Sequence, residues 1–445
     1  MKKFALIASA ILSAPAALAQ ETDHSQHGAE QAAPMPEMDH SKMDHSAHGD
    51  MDMSQPMDMS TMMTSAFGSY VMSRDSSGTS WQPEIAGHGG IHTMGGGWMV
   101  MTHAQLDAVY TDQDGPRGDD KAFLAGMAMV MAQRDLGEDG TLQLRAMVSP
   151  DPFMGKSGYP LLLTAGETAD GVDTLVDRQH PHDLFMELSA SYSHQLTDED
   201  SVFVYAGLPG EPAFGPPAFM HRPAAVGPEA PITHHWLDST HITFGVVTAG
   251  YIHGDVKIEA SRFRGREPDQ DRYDIETGSL DSTAVRFSWN PSPNWALQAS
   301  WADLTSPEQL EPTVDEKRWS VSALYSRPVG SGRFDFTGAF GRKERSDGVD
   351  LNAWLAEAAW KINHDWTIYS RAEALETDEL GLVHHGPIED VSKISLGALR
   401  EFAVADHVTL GLGAQISKNW VSDTLSPLYG GDPEGALAFV RLKIS

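Results

Sequence analysis

Cysteine is absent from this sequence of 445 residues, which excludes disulfide bonds and thiolate metal sites. After the signal-like start there is also no uninterrupted apolar run of about eighteen residues, the length that a membrane-spanning helix needs. Basic residues are scarce, with 31 Lys and Arg against 62 Asp and Glu and a net charge of −31. A chain this acidic is a poor candidate for binding nucleic acid and a better one for attracting cations.

The start of the chain has the pattern of a secretory signal peptide. Lys2 and Lys3 supply positive charge, an apolar run follows from Phe4 to Leu12, and Ala17-Leu18-Ala19 offers a cleavage site of the small-x-small type. We therefore expect residues 1–19 to direct export.

Composition divides the remaining chain into three regions. Residues 20–64 are rich in Asp, Ser, Met and His and show no apolar periodicity, which predicts a disordered segment. Residues 65–96 are expected to be a linker. From residue 97 to 445 the sequence becomes a succession of short alternating segments separated by polar breaks rich in Gly and Pro, which is typical of β-strands.

The alternation is clear in residues 318–326, where Trp319, Val321, Ala323 and Tyr325 share one face and small or polar residues share the other. Soluble β-proteins alternate in the same way. Two further features favour a membrane barrel. Short connections alternate with long ones, and aromatic residues stand at the strand ends, where they could form interfacial girdles. The long connections are predicted near residues 112–120, 150–182, 209–240, 265–281, 304–316, 342–351, 376–392 and 419–435. We predict an all-β, antiparallel transmembrane β-barrel of about sixteen strands, within about two either way.

The Met/His-rich segment has the chemistry of a metal-binding tail. It contains nine of the 21 methionines and five of the 20 histidines. Thioether sulfur selects Cu(I), imidazole suits Cu(II) and Zn(II), and the interspersed aspartates attract cations. The alternative is a solvated linker without a metal. The predicted ligands in this tail are His24, His27, Met38, His40, Met43, His45, His48, Met51, Met53, Met57 and Met59.

This tail resembles the Met/His-rich N-termini of exported copper-resistance proteins, including the outer-membrane barrels of the CopB/PcoB type. The resemblance is one of composition and covers about one tenth of the chain. It implies a setting of copper tolerance, and no site residue is carried over from it.

Five histidines in the barrel region form a second candidate site. They close the two longest predicted loops, and on a sixteen-strand arrangement both closing segments meet at the external rim. We predict that His180, His182, His234, His235 and His241 converge there, with Asp183 or Asp238 as carboxylates behind them. Three interpretations stay open: a hydrogen-bonded network that pins long loops inward, a metal site, and a catalytic or substrate-binding site. Smaller histidine pairs lie at 88 and 92 and at 384 and 385.

The favoured function is an outer-membrane protein of a Gram-negative bacterium that binds or handles copper, as Cu(I) or Cu(II), with zinc as a further possibility. It would serve sequestration, tolerance or export, and its expected partners are membrane lipid, metal ions and a periplasmic copper-handling protein. The alternative is a general or selective porin with an incidental tail. A weaker alternative is a barrel enzyme that uses the rim histidines. However, Ser239 and His241 lack a Gly-x-Ser-x-Gly elbow, so we expect no catalysis.

Overall fold

The computed structural model describes residues 63–87, 89–383 and 385–445. The predicted signal peptide and nearly all of the Met/His-rich tail therefore lie outside the described residues. So do His88 and His384, each one member of a smaller histidine pair.

Strands make up most of the described chain. They are β1 (Ile91–Gly95), β2 (Trp98–Gln113), β3 (Asp120–Leu136), β4 (Gly140–Val148), β5 (Tyr159–Thr168), β6 (Thr174–Gln179), β7 (Phe185–Gln195), β8 (Asp200–Gly207), β9 (Val246–His253), β10 (Val256–Phe263), β11 (Ser282–Ser292), β12 (Trp295–Leu304), β13 (Glu316–Val329), β14 (Gly332–Arg345), β15 (Asp350–Lys361), β16 (Trp366–Thr377), β17 (Glu389–Ala405), β18 (Val408–Trp420) and β19 (Glu434–Ile444). Short helical turns occupy Met72–Arg74, Glu84–Ala86, Asp151–Met154, Phe219–His221, His234–Leu237, Ser239–His241 and Ser426–Tyr429. Among the described residues, no helix is long and apolar enough to cross a membrane.

Sixteen of these strands, β2–β4 and β7–β19, form one closed antiparallel barrel within the described chain. The barrel closes where β19 pairs with β2, from Gly435 opposite Gln113 to Ile444 opposite Ala104. The remaining part of β2 pairs with the short strand β1. The predicted all-β barrel of about sixteen strands is confirmed.

Short and long connections alternate around the barrel, as predicted. The short ones are 137–139, 196–199, 254–255, 293–294, 330–331, 362–365 and 406–407, and they define the short-turn end. The longest ones are 149–184, 208–245 and 264–281, and they define the long-loop end. The loop predicted over residues 342–351 is instead a tight connection at 346–349, because β14 and β15 continue their pairing through most of it. In outer-membrane barrels, the short turns are periplasmic.

The outer face of the barrel is an apolar band. Side chains such as Leu124, Val204, Ile258 and Ile416 point outward and are exposed. Tryptophans border the band at both ends. Those at the short-turn end include Trp289, Trp295 and Trp360, and those at the long-loop end include Trp319, Trp354 and Trp420. An apolar band between aromatic girdles is the surface that a bilayer covers, so the barrel is an outer-membrane protein of a Gram-negative bacterium, as predicted.

An N-terminal segment, residues 63–87, is folded inside the lumen, where a linker was expected. Thr79 donates its hydroxyl to Glu259 of β10 at 2.5 Å, and Arg286 of β11 donates to Thr79 at 3.1 Å. Asn290 donates its side-chain amide to the carbonyl of Gln82 at 2.9 Å. The segment is anchored because buried polar side chains of the wall bind its backbone and hydroxyls, which composition alone does not reveal.

The loop of residues 208–245, here called the crossing loop, spans the lumen from one wall to the other. Near its start, the backbone N–H of Ala213 donates to Ser261 of β10 at 2.8 Å. Near its middle, Arg222 makes an ion pair with Glu357 of β15 at 2.8 Å, and the N–H of Thr233 donates to Glu373 of β16 at 3.1 Å. The loop therefore fills space that an open sixteen-stranded porin leaves to water.

Glu211 of the crossing loop forms a side-chain hydrogen bond with Ser77 of the N-terminal segment. Its carboxyl group allows a pH-dependent test of this contact. Burial raises the pKa of Glu211 from its usual 4.5 to about 8, although Arg286 counteracts part of the rise. Because the folded-state pKa is raised, this group stabilises the fold fully below pH 4.5, and the contribution is lost as the pH rises through about 8. We expect the melting temperature to fall between pH 5 and 9 in the native protein, and to fall less in Glu211→Gln.

Thermal unfolding in detergent micelles measures this effect. Glu138→Gln, in an exposed turn at the short-turn end, is the matched control and should keep the native pH profile. An identical profile for Glu211→Gln and the native protein would show that Glu211 is not the titrating group.

Candidate functional site

The five predicted histidines converge, and they do so inside the lumen rather than at an exposed rim. His180 and His182 follow β6 in the long connection to β7, and His234, His235 and His241 lie on helical turns of the crossing loop. All five are buried, each with at most 7% of its surface exposed. Their carboxylate partners Asp151, Glu267 and Glu308 all belong to long connections, so the five histidines lie toward the long-loop end, as predicted, but are buried there. We call these five residues the histidine cluster.

The rings of the histidine cluster lie edge to face around one phenylalanine. The ring centroids of His182 and His241 are 5.2 Å apart, as are those of His234 and His241, and those of His180 and His235 are 5.5 Å apart. Phe219 stacks against His182 at 5.9 Å and meets His234 edge to face at 5.6 Å.

Three of the imidazoles are held through Nδ1. The Nδ1 of His182 lies 2.9 Å from Asp151 Oδ2, that of His234 lies 2.9 Å from Asp238 Oδ1, and that of His241 lies 2.6 Å from the backbone oxygen of Asp238. These oxygens accept hydrogen bonds, so Nδ1 carries the proton and Nε2 keeps its lone pair. The Nε2 atoms of His182 and His241 are buried and have no hydrogen-bond partner among the residues that the structure describes. Metal-binding histidines are typically held in this way by an oxygen on the second nitrogen.

The carboxylates behind the histidines are only partly the predicted ones. Asp238 holds His234 as expected, whereas Asp183 makes an ion pair with Arg272 at 3.3 Å instead. Asp151, which holds His182, is a residue that sequence reasoning missed. It lies about thirty residues before its histidine, on the opposite side of the β5–β6 pair, so no local spacing indicates the contact.

A second group lies beside the first, at His235. Within the described residues, His235, Glu267 and Glu308 each offer a ligand atom within 4.8 Å of the other two, an arrangement that could hold a metal ion. The Arg318 guanidinium lies 3.6 Å from Glu267 and competes for that carboxylate. Neither glutamate was predicted, since both come from loops distant in sequence from the histidines.

Burial keeps three members of the histidine cluster uncharged. It lowers the pKa of His180, His235 and His241 well below the usual 6.5, and neighbouring histidines and cations lower these pKa values further. Burial alone would raise the pKa of Asp238, but Arg222 and His234 reverse this effect, and the net pKa is lowered. His180, His235 and His241 are therefore neutral imidazoles in the same site as the ionised Asp238, and neutral imidazole is the form that binds a metal cation.

The hydroxyl of Ser239 is engaged elsewhere. It donates to Glu267 at 2.9 Å and accepts from Arg318 at 2.8 Å, while the Nδ1 of His241 faces the Asp238 carbonyl. The pairing of Ser239 with His241 that a hydrolase of this type would use is therefore not formed.

The predicted ligands of the tail, from His24 to Met59, lie outside the described residues and stay a prediction. Of the smaller pairs, His92 places its Nδ1 3.1 Å from the Gly90 carbonyl, and His385 places its Nδ1 2.9 Å from Asp378. Each of these two described histidines therefore contacts an oxygen atom of a residue nearby in the sequence.

Comparisons with known proteins identify the fold. No family model matches the chain, and no curated protein matches it. Among solved structures, it is similar to OmpF of Salmonella typhi in complex with daunomycin, at 10% identity over 80% of this chain and 100% of that chain, with a TM-score of 0.51. It is also similar to the high-pH structure of OprB of Pseudomonas putida, at 12% identity over 78% of this chain and 94% of that chain, with a TM-score of 0.50. The chain is therefore an outer-membrane β-barrel protein with a porin-like fold.

Proposed function

We propose that the protein is an outer-membrane barrel that binds a transition-metal cation, copper before zinc, and handles it within the lumen. The observation that carries the proposal is the pair of buried, unpartnered Nε2 atoms of His182 and His241, each held by an oxygen on Nδ1. Imidazole suits copper and zinc, and the chain's net charge of −31 attracts cations to the barrel. The same proposal includes copper binding by the Met/His-rich tail and exchange of copper between the tail and a periplasmic partner.

The filled lumen favours binding of a metal cation over free diffusion of solutes through the barrel. The crossing loop and the N-terminal segment fill it from wall to wall, and their anchors are buried ion pairs such as that of Arg222 with Glu357. A cation that enters the lumen would therefore meet side chains of the crossing loop and the N-terminal segment on its way.

Replacing both histidines tests the proposal. In a full-length chain whose five tail histidines are asparagine, His182→Leu with His241→Leu should lower the affinity for Cu(II) and Zn(II) by at least about tenfold, the effect of about 1.4 kcal/mol. Calorimetric titration of the refolded protein measures it. The matched control replaces two exposed histidines outside the cluster, His194→Leu with His253→Leu, and should bind as the parent does. Equal affinity in both variants would refute the metal site.

A porin with an incidental tail is the second candidate, and the fold shared with OmpF and OprB favours it. Planar-bilayer recordings separate the two. A porin gives a steady conductance that neither added copper nor the double histidine substitution alters. The metal-handling barrel gives a low conductance, and its metal binding depends on the two histidines.

A further inference from the structure

One wall of the lumen is lined with methionine. Three apolar clusters pack inside the described barrel, and two of them consist mainly of leucine, alanine and aromatic residues. In the third, eight of the nine buried members are methionines. This methionine cluster comprises Met72, Met99, Met101, Met127, Met129, Met131, Met147 and Met186 with Ile242, and Met63 and Met220 pack against it.

Strand periodicity places these side chains together. Met99 and Met101 are two residues apart on β2, and Met127, Met129 and Met131 follow the same spacing on β3, so all five face the lumen. Pairing then aligns the strands: Met101 lies opposite Met131. Side chains directly opposite each other in an antiparallel pair are neighbours on one face of the sheet.

Two more register positions extend the row. Met129 of β3 lies opposite Met147 of β4 on one side and opposite His103 of β2 on the other. Thioethers from three adjacent strands, with an imidazole among them, therefore form one continuous patch on the inner wall.

The patch borders open space. A cavity of about 230 Å³ is lined by five members of the methionine cluster, Met72, Met101, Met127, Met129 and Met131. His103 and His221, whose ring centroids are 6.5 Å apart, line it as well. The cavity also reaches Lys361 and Lys443, which lie beside the short turns. Its walls thus combine sulfur and imidazole ligands at the short-turn side of the lumen.

Packing alone does not account for this composition. Inward-facing residues of outer-membrane barrels are usually polar, and leucine fills an apolar wall as well as methionine does. The sulfur atoms are also available to polar partners, since the side-chain amide of Gln143 donates to Met131 Sδ at 3.1 Å. Thioether sulfur is the side-chain ligand that selects Cu(I) over harder cations.

We propose that the methionine cluster is a binding site for a soft monovalent cation, Cu(I) and its chemical equivalent Ag(I). This inference rests on the proposed function and specifies that the copper bound by the methionine cluster is Cu(I). The site adjoins the histidine cluster, because a small gap lined by Met147, Met186, Met220 and His221 also borders His241. The two clusters are therefore neighbours within the lumen.

Silver locates the site directly, because Ag(I) does not change oxidation state and scatters X-rays anomalously. Crystals of the full-length protein grown with Ag(I) should show an anomalous peak in the cavity, at bonding distance from Sδ of Met101, Met129 or Met131. Silver only at His182 and His241 would overturn the methionine site and leave the proposed function standing. No silver at either cluster would also overturn the methionine site, whereas the proposed function is decided by the Cu(II) and Zn(II) titration of the His182/His241 variant.

A titration in solution supplies the second measurement. The variant Met101→Leu/Met129→Leu/Met131→Leu conserves volume, so its melting temperature should stay close to that of the parent. With all tail methionines replaced by leucine in both full-length chains, the triple variant should bind Ag(I) at least about tenfold more weakly. Met94→Leu with Met154→Leu is the matched control, since neither residue belongs to the methionine cluster. Unchanged Ag(I) affinity in the triple variant would overturn the proposal, and Zn(II) binding at the histidines is measured separately.

Discussion

Arg222→Ala should convert a nearly closed barrel into a conducting one. The Arg222 side chain is completely buried and makes ion pairs with Asp238 at 2.7 Å and Glu357 at 2.8 Å. It also donates to the carbonyl of Pro217 at 3.2 Å, so one guanidinium ties two parts of the crossing loop to the wall. Breaking a buried ion pair by removing one partner costs about 3–5 kcal/mol, because the remaining charge is left uncompensated. In Arg222→Ala that charge is Asp238, since Glu357 keeps Arg371 at 3.1 Å. We expect the crossing loop to leave the lumen and the single-channel conductance to rise severalfold.

The matched control for this substitution is Arg342→Ala. Arg342 also contacts two carboxylates, Glu344 at 2.9 Å and Asp350 at 2.7 Å, but about a third of its side chain is exposed. An ion pair with this exposure contributes about 0–1 kcal/mol, so conductance and melting temperature should stay near native values. If Arg222→Ala recordings matched those of Arg342→Ala, the crossing loop would not be what closes the pore.

Glu259→Ala should release the N-terminal segment. The Glu259 carboxylate accepts from Arg286 at 2.9 Å and from Thr79 at 2.5 Å, and it lies 3.2 Å from the ammonium of Lys257. All four side chains are buried. Alanine leaves two buried cations without their shared anion, a loss of about 3–5 kcal/mol. We expect a protease added to the refolded protein to cut within residues 63–87, which the native barrel protects.

Limited proteolysis followed by mass spectrometry detects that cut. Glu344→Ala serves as the control. It removes an exposed carboxylate that pairs with Arg342, so the N-terminal segment should stay as well protected from the protease as in the native protein. Full protection in Glu259→Ala would show that the backbone contacts of Asn290 and Ser193 hold the segment without the ion pairs.

The wall of the barrel could be predicted well, because its signal is local. Residues such as Trp319, Val321 and Tyr325 alternate with polar neighbours, and the strand observed there places them on the lipid face. The bounds of most loops followed from the same alternation. The loop at 342–351 was overestimated because its charged residues resemble a loop, although Arg342 and Glu344 belong to β14.

The histidines of the site could be predicted from the sequence, but most of the carboxylates that contact them could not. Histidines stand out in a sequence, and two long loops that close side by side bring them together. The contact of His182 with Asp151 joins the two ends of one long connection, and that of His235 with Glu308 joins two connections far apart in the chain. Both contacts depend on how these connections fold into the lumen.

The methionine cluster was missed for a different reason. In β3, Leu124 and Val130 face lipid while Met127, Met129 and Met131 face the lumen, so both faces are apolar and alternation does not separate them. The spacing of two between successive methionines was visible on β2 and β3. It would have indicated a shared face, though not which side of the wall that face lies on.

The way the barrel closes has a consequence for its biogenesis. Only residues 104–113 of β2 pair with β19, while residues 98–102 pair with β1, which directly follows the N-terminal segment. An unpaired edge of β2 would be a template for joining another chain, and β1 covers it. Because the segment directly precedes β1 and lies within the ring of strands, we expect it to be in place when the first and last strands meet. We therefore expect the N-terminal segment to enter the lumen before β19 pairs with β2. Barrel closure would then be a late step that depends on the position of this segment.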